Sequence, residues 1–271
     1  MEYSLNKINY YFLLPVMFFL LTGYAHADML ESHIAYVGKD TDLSYLGAKQ
    51  GLDEANLQGQ FLQHSYSMDV IAPDKALDTD YTGYIAVVSA AGVDTYEKLL
   101  QLLPNTPVFN VTLADDQLRL MCAKNALNIY PSDEMKKDAV SQWHKKHPDD
   151  DVTAQTWHPD YVKFAARDLN KRFKKSFDKP MNDAAWAGWA AVKMTSEAII
   201  RKNMTAPADL LKYLKNDLLF DGQMGVDMNF RSNGQLRQPM LLIKNGKIAG
   251  EAPVRGVSDD LDSLGHSGCT K

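Results

Sequence analysis

The chain has 271 residues, of which 29 are Lys or Arg and 34 are Asp or Glu, so its formal net charge is −5. Its composition, 45% hydrophobic and 23% charged, is typical of a globular protein and not of a disordered or fibrous one. The negative charge argues against nucleic acid as a partner, and two cysteines are too few for a disulfide-rich miniprotein or a zinc site of four thiolates.

Residues 1–27 have the pattern of a cleaved secretory signal peptide. Lys7 precedes an uncharged apolar run over residues 10–24, and Ala25-His26-Ala27 supplies the small residues that signal peptidase accepts. The run is shorter than the roughly 20 residues that a membrane-spanning helix needs, so a retained anchor is the weaker alternative. We therefore expect an exported, periplasmic chain that begins at Asp28.

The first half of the mature chain alternates short apolar runs with amphipathic stretches. The predicted strands are His33–Gly38, His64–Ile71, Gly83–Ser89, Pro107–Thr112 and Ala126–Tyr130. The predicted helices are Ser44–Gln58, Val93–Leu103 and a helix from Ser132 to about His147. This alternation predicts an α/β fold with a mostly parallel sheet flanked by helices.

The second half is richer in helices and ends in a hairpin pattern. The predicted helices are Asp160–Phe177, Asn182–Lys202 and Ala208–Lys215, and the predicted strands are Phe220–Phe230 and Gln238–Ile248. Asn245-Gly246 between apolar residues predicts a C-terminal β-hairpin. We expect a single α/β lobe over residues 28–257, followed by a polar tail over residues 258–271.

No catalytic or nucleotide-binding motif is present, so the sequence predicts neither an enzyme nor a cofactor site. His144 and His147 stand near Asp149–Asp151, and this group has the side chains of a metal site. The alternative, a solvated helix end, is favoured, and we predict no metal. Asp115-Asp116 is similarly either an ion site or a helix cap, with the cap favoured.

Polar loops follow three of the predicted parallel strands. Ligands of open α/β sheets bind beyond the carboxyl ends of the strands, where helix N-termini converge. The loops here are Gly38–Asp42, Ser89–Gly92 and Asn110–Asp116. We expect a small ligand to be lined by residues of these loops, namely Asp40, Thr41, Ser89, Ala90, Asn110 and Asp115.

Several segments resemble a known family. Residues 184–202 (AAWAGWAAVKMTSEAIIRK) and 220–239 resemble the C-terminal part of type 1 periplasmic substrate-binding proteins. Residues 34–46 (IAYVGKDTDLSYL), 234–239 and 261–265 are similar to the ABC-transporter substrate-binding protein associated with PQQ-dependent alcohol dehydrogenase systems. The resemblance covers nearly the whole mature chain in patches.

The resemblance implies a non-enzymatic periplasmic protein that carries a small solute to an ABC permease and serves a quinoprotein dehydrogenase. Export leaves open whether Cys122 and Cys269 pair or remain thiols, and the resemblance implies a disulfide because the family carries cysteine at both positions. Only residues 144–156 stand where the family builds a second lobe. A βαβ unit needs about 30 residues, so most of that lobe is expected to be missing.

A missing lobe leaves two functional hypotheses open. In the first, the remaining lobe still binds a small solute, either alone or with a second copy that supplies the other half of the site. In the second, the chain is an interaction protein whose open half-cleft holds a quinoprotein dehydrogenase, a cytochrome or a permease.

Overall fold

A computed structural model describes residues 29–269. The predicted signal peptide, residues 1–27, and the last two residues of the predicted tail lie outside the described residues. Within residues 29–269 no helix is both long and apolar enough to cross a membrane. The described chain is an α/β structure with one parallel and one antiparallel sheet.

The larger sheet has five parallel strands in the spatial order β2-β1-β3-β4-β5. Its strands are β1 (Leu30–Val37), β2 (His64–Ile71), β3 (Tyr84–Ser89), β4 (Val108–Asn110) and β5 (Ala126–Asn128). Residues 34–37 and 86–89 are fully buried, as expected for inner strands that have helices on both faces. The predicted parallel sheet is therefore confirmed, and the structure contains all five predicted strands.

Seven α-helices are described within residues 29–269. They are α1 (Leu43–Gly59), α2 (Val93–Leu102), α3 (Gln117–Leu120), α4 (Asp133–His144), α5 (Ala166–Phe177), α6 (Asp183–Lys202) and α7 (Pro207–Asn216). Two of them begin at side-chain caps, because Ser132 accepts the Met135 N–H and Asn182 accepts the Ala185 N–H. Pro207 occupies the first turn of α7, where its missing N–H has no cost.

Helices α1 and α6 approach each other closely through glycines. A Cβ atom on Gly47 would lie 1.8 Å from the Ala185 carbonyl oxygen, and one on Gly188 would lie 2.0 Å from the Ser44 carbonyl oxygen. Any side chain at either position would force the helices apart. The contact buries Trp186 and Trp189 in the main hydrophobic core.

The smaller sheet consists of β6 (Thr153–Gln155), β7 (Met240–Lys244) and β8 (Lys247–Ala252), all antiparallel. The β7–β8 turn is Asn245-Gly246, with φ angles of +50° and +72°, and it confirms the predicted C-terminal hairpin. Strand β6 was not predicted, because three residues after a charged loop carry too short a pattern. Helix α4 packs on this sheet through a separate apolar cluster.

The segment before α5 differs from the sequence prediction. A helix was expected from Asp160, but α5 begins only at Ala166, and Val162 is 51% exposed. Tyr161 enters the core instead and packs edge-on against Trp157. The Asn170 side chain donates to the His158 and Tyr161 carbonyls, and these hydrogen bonds stabilise a non-helical loop before α5.

The predicted strand Phe220–Phe230 is also wrong. The structure has only isolated bridges there, between Phe220 and Met228 and between Phe230 and Leu236. Gly222 and Gly225 have positive φ angles, so the chain turns where an extended strand was expected.

Residues 258–269 are held more firmly than their polar composition suggests. Leu264 is fully buried against α4, and a short 3₁₀ helix spans Leu261–Ser263. Asp262 accepts from the guanidinium groups of Arg231 and Arg237, both at 2.8 Å. The described part of the tail is thus packed onto the rest of the chain.

Candidate functional site

The predicted ligand loops lie side by side at the carboxyl edge of the parallel sheet. The Ala90 N–H donates to the Val37 carbonyl at 2.8 Å, and the Val111 N–H donates to the Ser89 carbonyl at 3.2 Å. The loops that follow β1, β3 and β4 are therefore neighbours. All six predicted ligand residues, Asp40, Thr41, Ser89, Ala90, Asn110 and Asp115, stand in or next to these loops.

Two of the six side chains are buried and already hydrogen-bonded within the protein. The Asn110 amide donates to the Leu113 carbonyl and to Asn128 Oδ1, while its own Oδ1 accepts from the Thr112 and Leu113 N–H groups. Ser89 is fully buried, and its Oγ accepts weakly from the Ala91 N–H at 3.4 Å. These side chains shape the loops, so their contribution to a ligand site is indirect.

The other predicted residues reach the surface. Asp40 and Thr41 are exposed, and Ala90 is half-buried. Asp115 is also exposed, and its Oδ1 accepts from the Gln117 N–H at the start of α3. This edge therefore presents two carboxylates and a hydroxyl to solvent.

Sequence reasoning missed Thr112 and Tyr130 at this edge. Thr112 Oγ1 is buried without a hydrogen-bond partner among residues 29–269. Tyr130 follows β5, and the Lys136 ammonium lies 5.1 Å from the centre of its ring. Both residues stand at the carboxyl ends of predicted strands, and this position could have identified them, because the same rule selected the other loops.

Helices α1 and α2 begin at the same edge without side-chain caps. The residues at their N-terminal boundaries are Asp42 and Gly92, and neither makes a side-chain capping hydrogen bond. The first-turn N–H groups of a helix carry partial positive charge and attract an acceptor group. Uncapped helix ends beside exposed polar loops suit a small polar ligand.

Arg119 fixes the base of these loops from inside the protein. Its guanidinium is buried and donates to the carbonyls of Leu113, Asp115 and Tyr130 and to Gln235 Oε1, at 2.6–2.9 Å. Burial lowers the pKa of Arg119 to about 10, so the group stays charged at neutral pH. The loops after β4 and β5 are thereby held in one arrangement.

Asp183 joins this edge to the smaller sheet. Its carboxylate accepts the Trp157 N–H at 2.7 Å, just beyond β6, and it stands in the first turn of α6. Burial raises the pKa of Asp183 to about 6, while the N–H groups of Trp157 and Thr156 and the Lys136 charge oppose that rise. A buried carboxyl with this pKa changes its charge in mildly acidic solution.

The Cys122–Cys269 disulfide implied by the family resemblance is present. It ties the C-terminal segment to the loop between α3 and β5, at the amino edge of the parallel sheet. Nearby, the Cys269 N–H donates to Ser232 Oγ at 3.3 Å.

The histidine and aspartate group near residue 147 has other partners. The His147 ring stacks on Trp143, and His144 Nε2 lies 2.8 Å from the Asp150 carbonyl oxygen. The Asp150 carboxylate accepts from Lys244 Nζ at 2.6 Å and from the Trp143 indole at 3.1 Å. No group of three potential metal-ligating side chains is found within residues 29–269.

A cavity of about 540 Å³ lies away from the predicted loops, between residues 160–163 and β8. The Lys163 ammonium and the Glu251 carboxylate form an ion pair of 2.7 Å beside it. Asp160 and Arg255 also line the cavity, so it contains charges of both signs.

Comparisons with known proteins bear on this geometry. No protein-family model and no curated protein matches the sequence. Among solved structures, the chain is similar to a branched-chain amino acid ABC transporter periplasmic ligand-binding protein from Burkholderia xenovorans, with a TM-score of 0.70 and 11% identity over 82% of this chain and 95% of that one. The chain has the fold of the type 1 periplasmic binding proteins.

Two further neighbours were solved with a bound ligand. An ABC transporter substrate-binding protein from Desulfitobacterium hafniense, in complex with Leu, has a TM-score of 0.68 and 13% identity over 81% of this chain and 98% of that one. A solute-binding protein of an ABC transporter from Rhodopseudomonas palustris, in complex with 3,4-dihydroxybenzoic acid, has a TM-score of 0.65 and 9% identity over 82% and 94%. The matches run through most of each neighbour.

Proposed function

We propose that this chain is a solute-binding protein of an ABC transporter and that it binds a small polar solute at the carboxyl edge of the parallel sheet. The observation that carries the proposal is the convergence of exposed polar loops and uncapped helix ends at that edge. The first-turn N–H groups of α1 and α2 carry partial positive charge and attract a carboxylate or phenol oxygen of the solute. The similar structures are solute-binding proteins, which supports the same conclusion.

The residues proposed to face the solute are those that reach the surface. Asp40, Thr41 and Asp115 offer acceptors and one hydroxyl, and Ala90 lies between their loops. Ser89 and Asn110 act behind them by fixing the loops, because their own polar groups are already hydrogen-bonded.

The sequence resemblance extends the proposal to the cellular setting. The chain is exported by the signal peptide at residues 1–27, works in the periplasm and delivers its solute to an inner-membrane ABC permease. The system it serves is PQQ-dependent alcohol oxidation. The segment similarity over residues 34–46 and 261–265 supports this link.

The single-lobe proposal concerns how the site closes. Residues 28–257 are proposed to form one binding lobe, which includes α4 and the three short strands β6 to β8. One lobe covers less of a bound solute than two lobes do, so the affinity of a monomer for its solute is expected to be low.

A second candidate function is an interaction protein that holds a quinoprotein dehydrogenase, a cytochrome or the permease. The inward hydrogen bonding of Ser89 and Asn110 favours it, because fewer polar groups remain for a small solute. The open edge would then contact a protein surface.

Calorimetry on the mature chain tests the proposal with leucine and 3,4-dihydroxybenzoate. Asp115→Asn keeps the acceptor for the Gln117 N–H but removes the charge. It should weaken leucine binding by up to about fivefold, through the lost attraction to the ammonium group, and strengthen dihydroxybenzoate binding by a similar factor.

Asp209→Asn, an exposed change on α7, is the matched control and should alter neither affinity. If neither compound binds, and native mass spectrometry of protein from its own periplasm detects no retained solute, solute binding is rejected. Co-purification of a dehydrogenase or permease in that case would favour the interaction protein.

A further inference from the structure

A second pocket lies at the amino edge of the parallel sheet, opposite the proposed solute site. It has a volume of about 380 Å³ and is lined by residues that precede β4 and β5, by one side of α7 and by Ser232. Asn105 and Lys124 come from the loops before the two strands, and Lys212 and Lys215 come from α7. Because parallel strands share their direction, this edge is separate from the loops that contain Asp40 and Asp115.

The charge of this pocket differs from that of the cavity beside β8. Three lysines line it, Lys124, Lys212 and Lys215, and no Asp or Glu does. The cavity beside β8 combines Asp160 and Glu251 with basic residues. A concentration of positive charge is notable in a chain whose net charge is −5, and it attracts anions locally.

The three ammonium groups also lack acidic partners elsewhere in the described chain. Within residues 29–269 none of the three lysines forms an ion pair. Lys215 Nζ donates to the Ser232 carbonyl at 3.2 Å, which uses one of its three N–H groups. Burial without a carboxylate lowers the pKa of Lys215 to about 8. An anion beside Lys215 would offset the cost of that burial.

The remaining walls suit a compact ligand with a short carbon skeleton. Asn105 and Asn216 add amide groups at the rim, while Leu211 and the Cys122 side of the disulfide supply apolar surface. The volume is at the lower end of the range for small-molecule sites, which is about 300–1,000 Å³.

We propose that this pocket binds a small dianion, a phosphate or a dicarboxylate, with Lys124, Lys212 and Lys215 as its counter-charges. The ammonium groups neutralise the two negative charges, and the asparagine amides donate to the remaining oxygens. The site uses none of the residues of the proposed solute site, so it stands independently of that function.

The test is calorimetric titration of the mature, disulfide-bonded chain with inorganic phosphate and with succinate, with chloride as the monovalent comparison. Lys215→Met retains most of the side-chain stem and removes the ammonium group. It should weaken binding by about tenfold or more, the effect of losing one charge-assisted hydrogen bond. Lys171→Met, an exposed change on α5, is the matched control and should leave the affinity unchanged.

A second variant and a pH series test the proposal independently, in case the Lys215→Met chain does not fold. Lys124→Met changes an exposed lysine and should also weaken binding. Affinity in the unaltered chain should fall as pH rises through about 8, where Lys215 loses its charge.

The two probes distinguish the sources of the anion. Binding of phosphate alone would indicate a phosphoryl group, binding of succinate alone would indicate a dicarboxylate, and binding of both would indicate charge recognition. The proposal is overturned if neither probe binds at about 10 mM. Equal binding of chloride, or equal affinity in the Lys215→Met and unaltered chains, would overturn it as well.

Discussion

Asp183 lies at the carboxyl edge of the parallel sheet and is buried, whereas Lys215 lies at the amino edge and is half-buried. Asp183 accepts the Trp157 N–H, and its carboxylate links α6 to the end of β6. Lys215 has one carbonyl, that of Ser232, as its hydrogen-bond partner in the described chain. The carboxylate is therefore part of the fold, whereas the ammonium retains unused donors.

The difference shows why burial alone does not identify a ligand site. Each group has a pKa displaced by burial, upward for the carboxyl and downward for the ammonium. Only at the amino edge does a cavity adjoin the displaced group together with further charges of the same sign. Hydrogen-bonding capacity that the protein leaves unused, next to open space, is the more informative feature.

Of the changes that test the comparison of the two edges, removal of the disulfide should have the largest effect on stability. The disulfide lies at the amino edge, so its removal acts on that edge and not on the carboxyl edge. Cys122 and Cys269 are 147 residues apart in sequence, and closing a loop of that size restricts the unfolded chain. The double variant Cys122→Ala/Cys269→Ala should lose about 4–5 kcal/mol in the free energy of unfolding. Urea denaturation measures it, and reduction of the unaltered protein should give a matching loss. An unchanged midpoint would contradict the expectation.

The Asp183→Asn variant should have the next largest effect, seen in the pH dependence of stability. The folded-state pKa is about 6 against an ordinary 3.8, so the unfolded chain releases this proton first. The free energy of unfolding should therefore fall as pH rises from about 4 to about 6, by about 3 kcal/mol from this group.

Asp183→Asn should remove that part of the slope, and Asp209→Asn should retain it. Thermal or urea unfolding at a series of pH values supplies the measurement. A variant whose pH slope equals that of the unaltered chain would show that the carboxyl ionises normally.

The Lys215→Met variant should have the smallest effect and the opposite pH sign. Its folded pKa of about 8 lies below the ordinary 10.5, so the unfolded chain holds more protons between these values. Stability should rise with pH across that window. At pH 7 the variant should be more stable by about 1 kcal/mol, after allowing for the solvent contact of the side chain.

Lys171→Met should leave both the stability and its pH dependence unchanged. Denaturant titrations at pH 7 and at about pH 10 compare the three chains. Loss of stability in Lys215→Met at pH 7 would mean that the ammonium group supports the fold, against the contrast drawn above.

The parallel sheet was predictable because its signals are local. Residues 34–37 and 85–88 are short apolar runs, and α2, between β3 and β4, has a clear apolar face. Asn245-Gly246 likewise specifies its own turn. The segment around Tyr161 was mispredicted because its shape depends on Trp157 and Asn170, contacts that a helical repeat does not encode.

The position of the candidate site was predictable from the sequence. Which of its polar side chains are free to contact a ligand was not predictable. Parallel topology alone places the loops after β1, β3 and β4 at one edge. The Asn110 side chain bonds to Asn128, a contact made only when β4 and β5 pair. In the sequence, Lys215 looks like any lysine near the end of a helix. Its partial burial comes from contact with the later segment around Ser232.

The glycine contact between α1 and α6 has a consequence for the order in which the molecule folds. Gly47 and Ala185 are separated by roughly 140 residues of chain, so α1 cannot cover its apolar face until α6 has formed. The first βαβ unit is therefore incomplete as a folding unit and exposes a surface that invites aggregation. During synthesis that surface stays uncovered until the chain has been made through α6, which ends at Lys202.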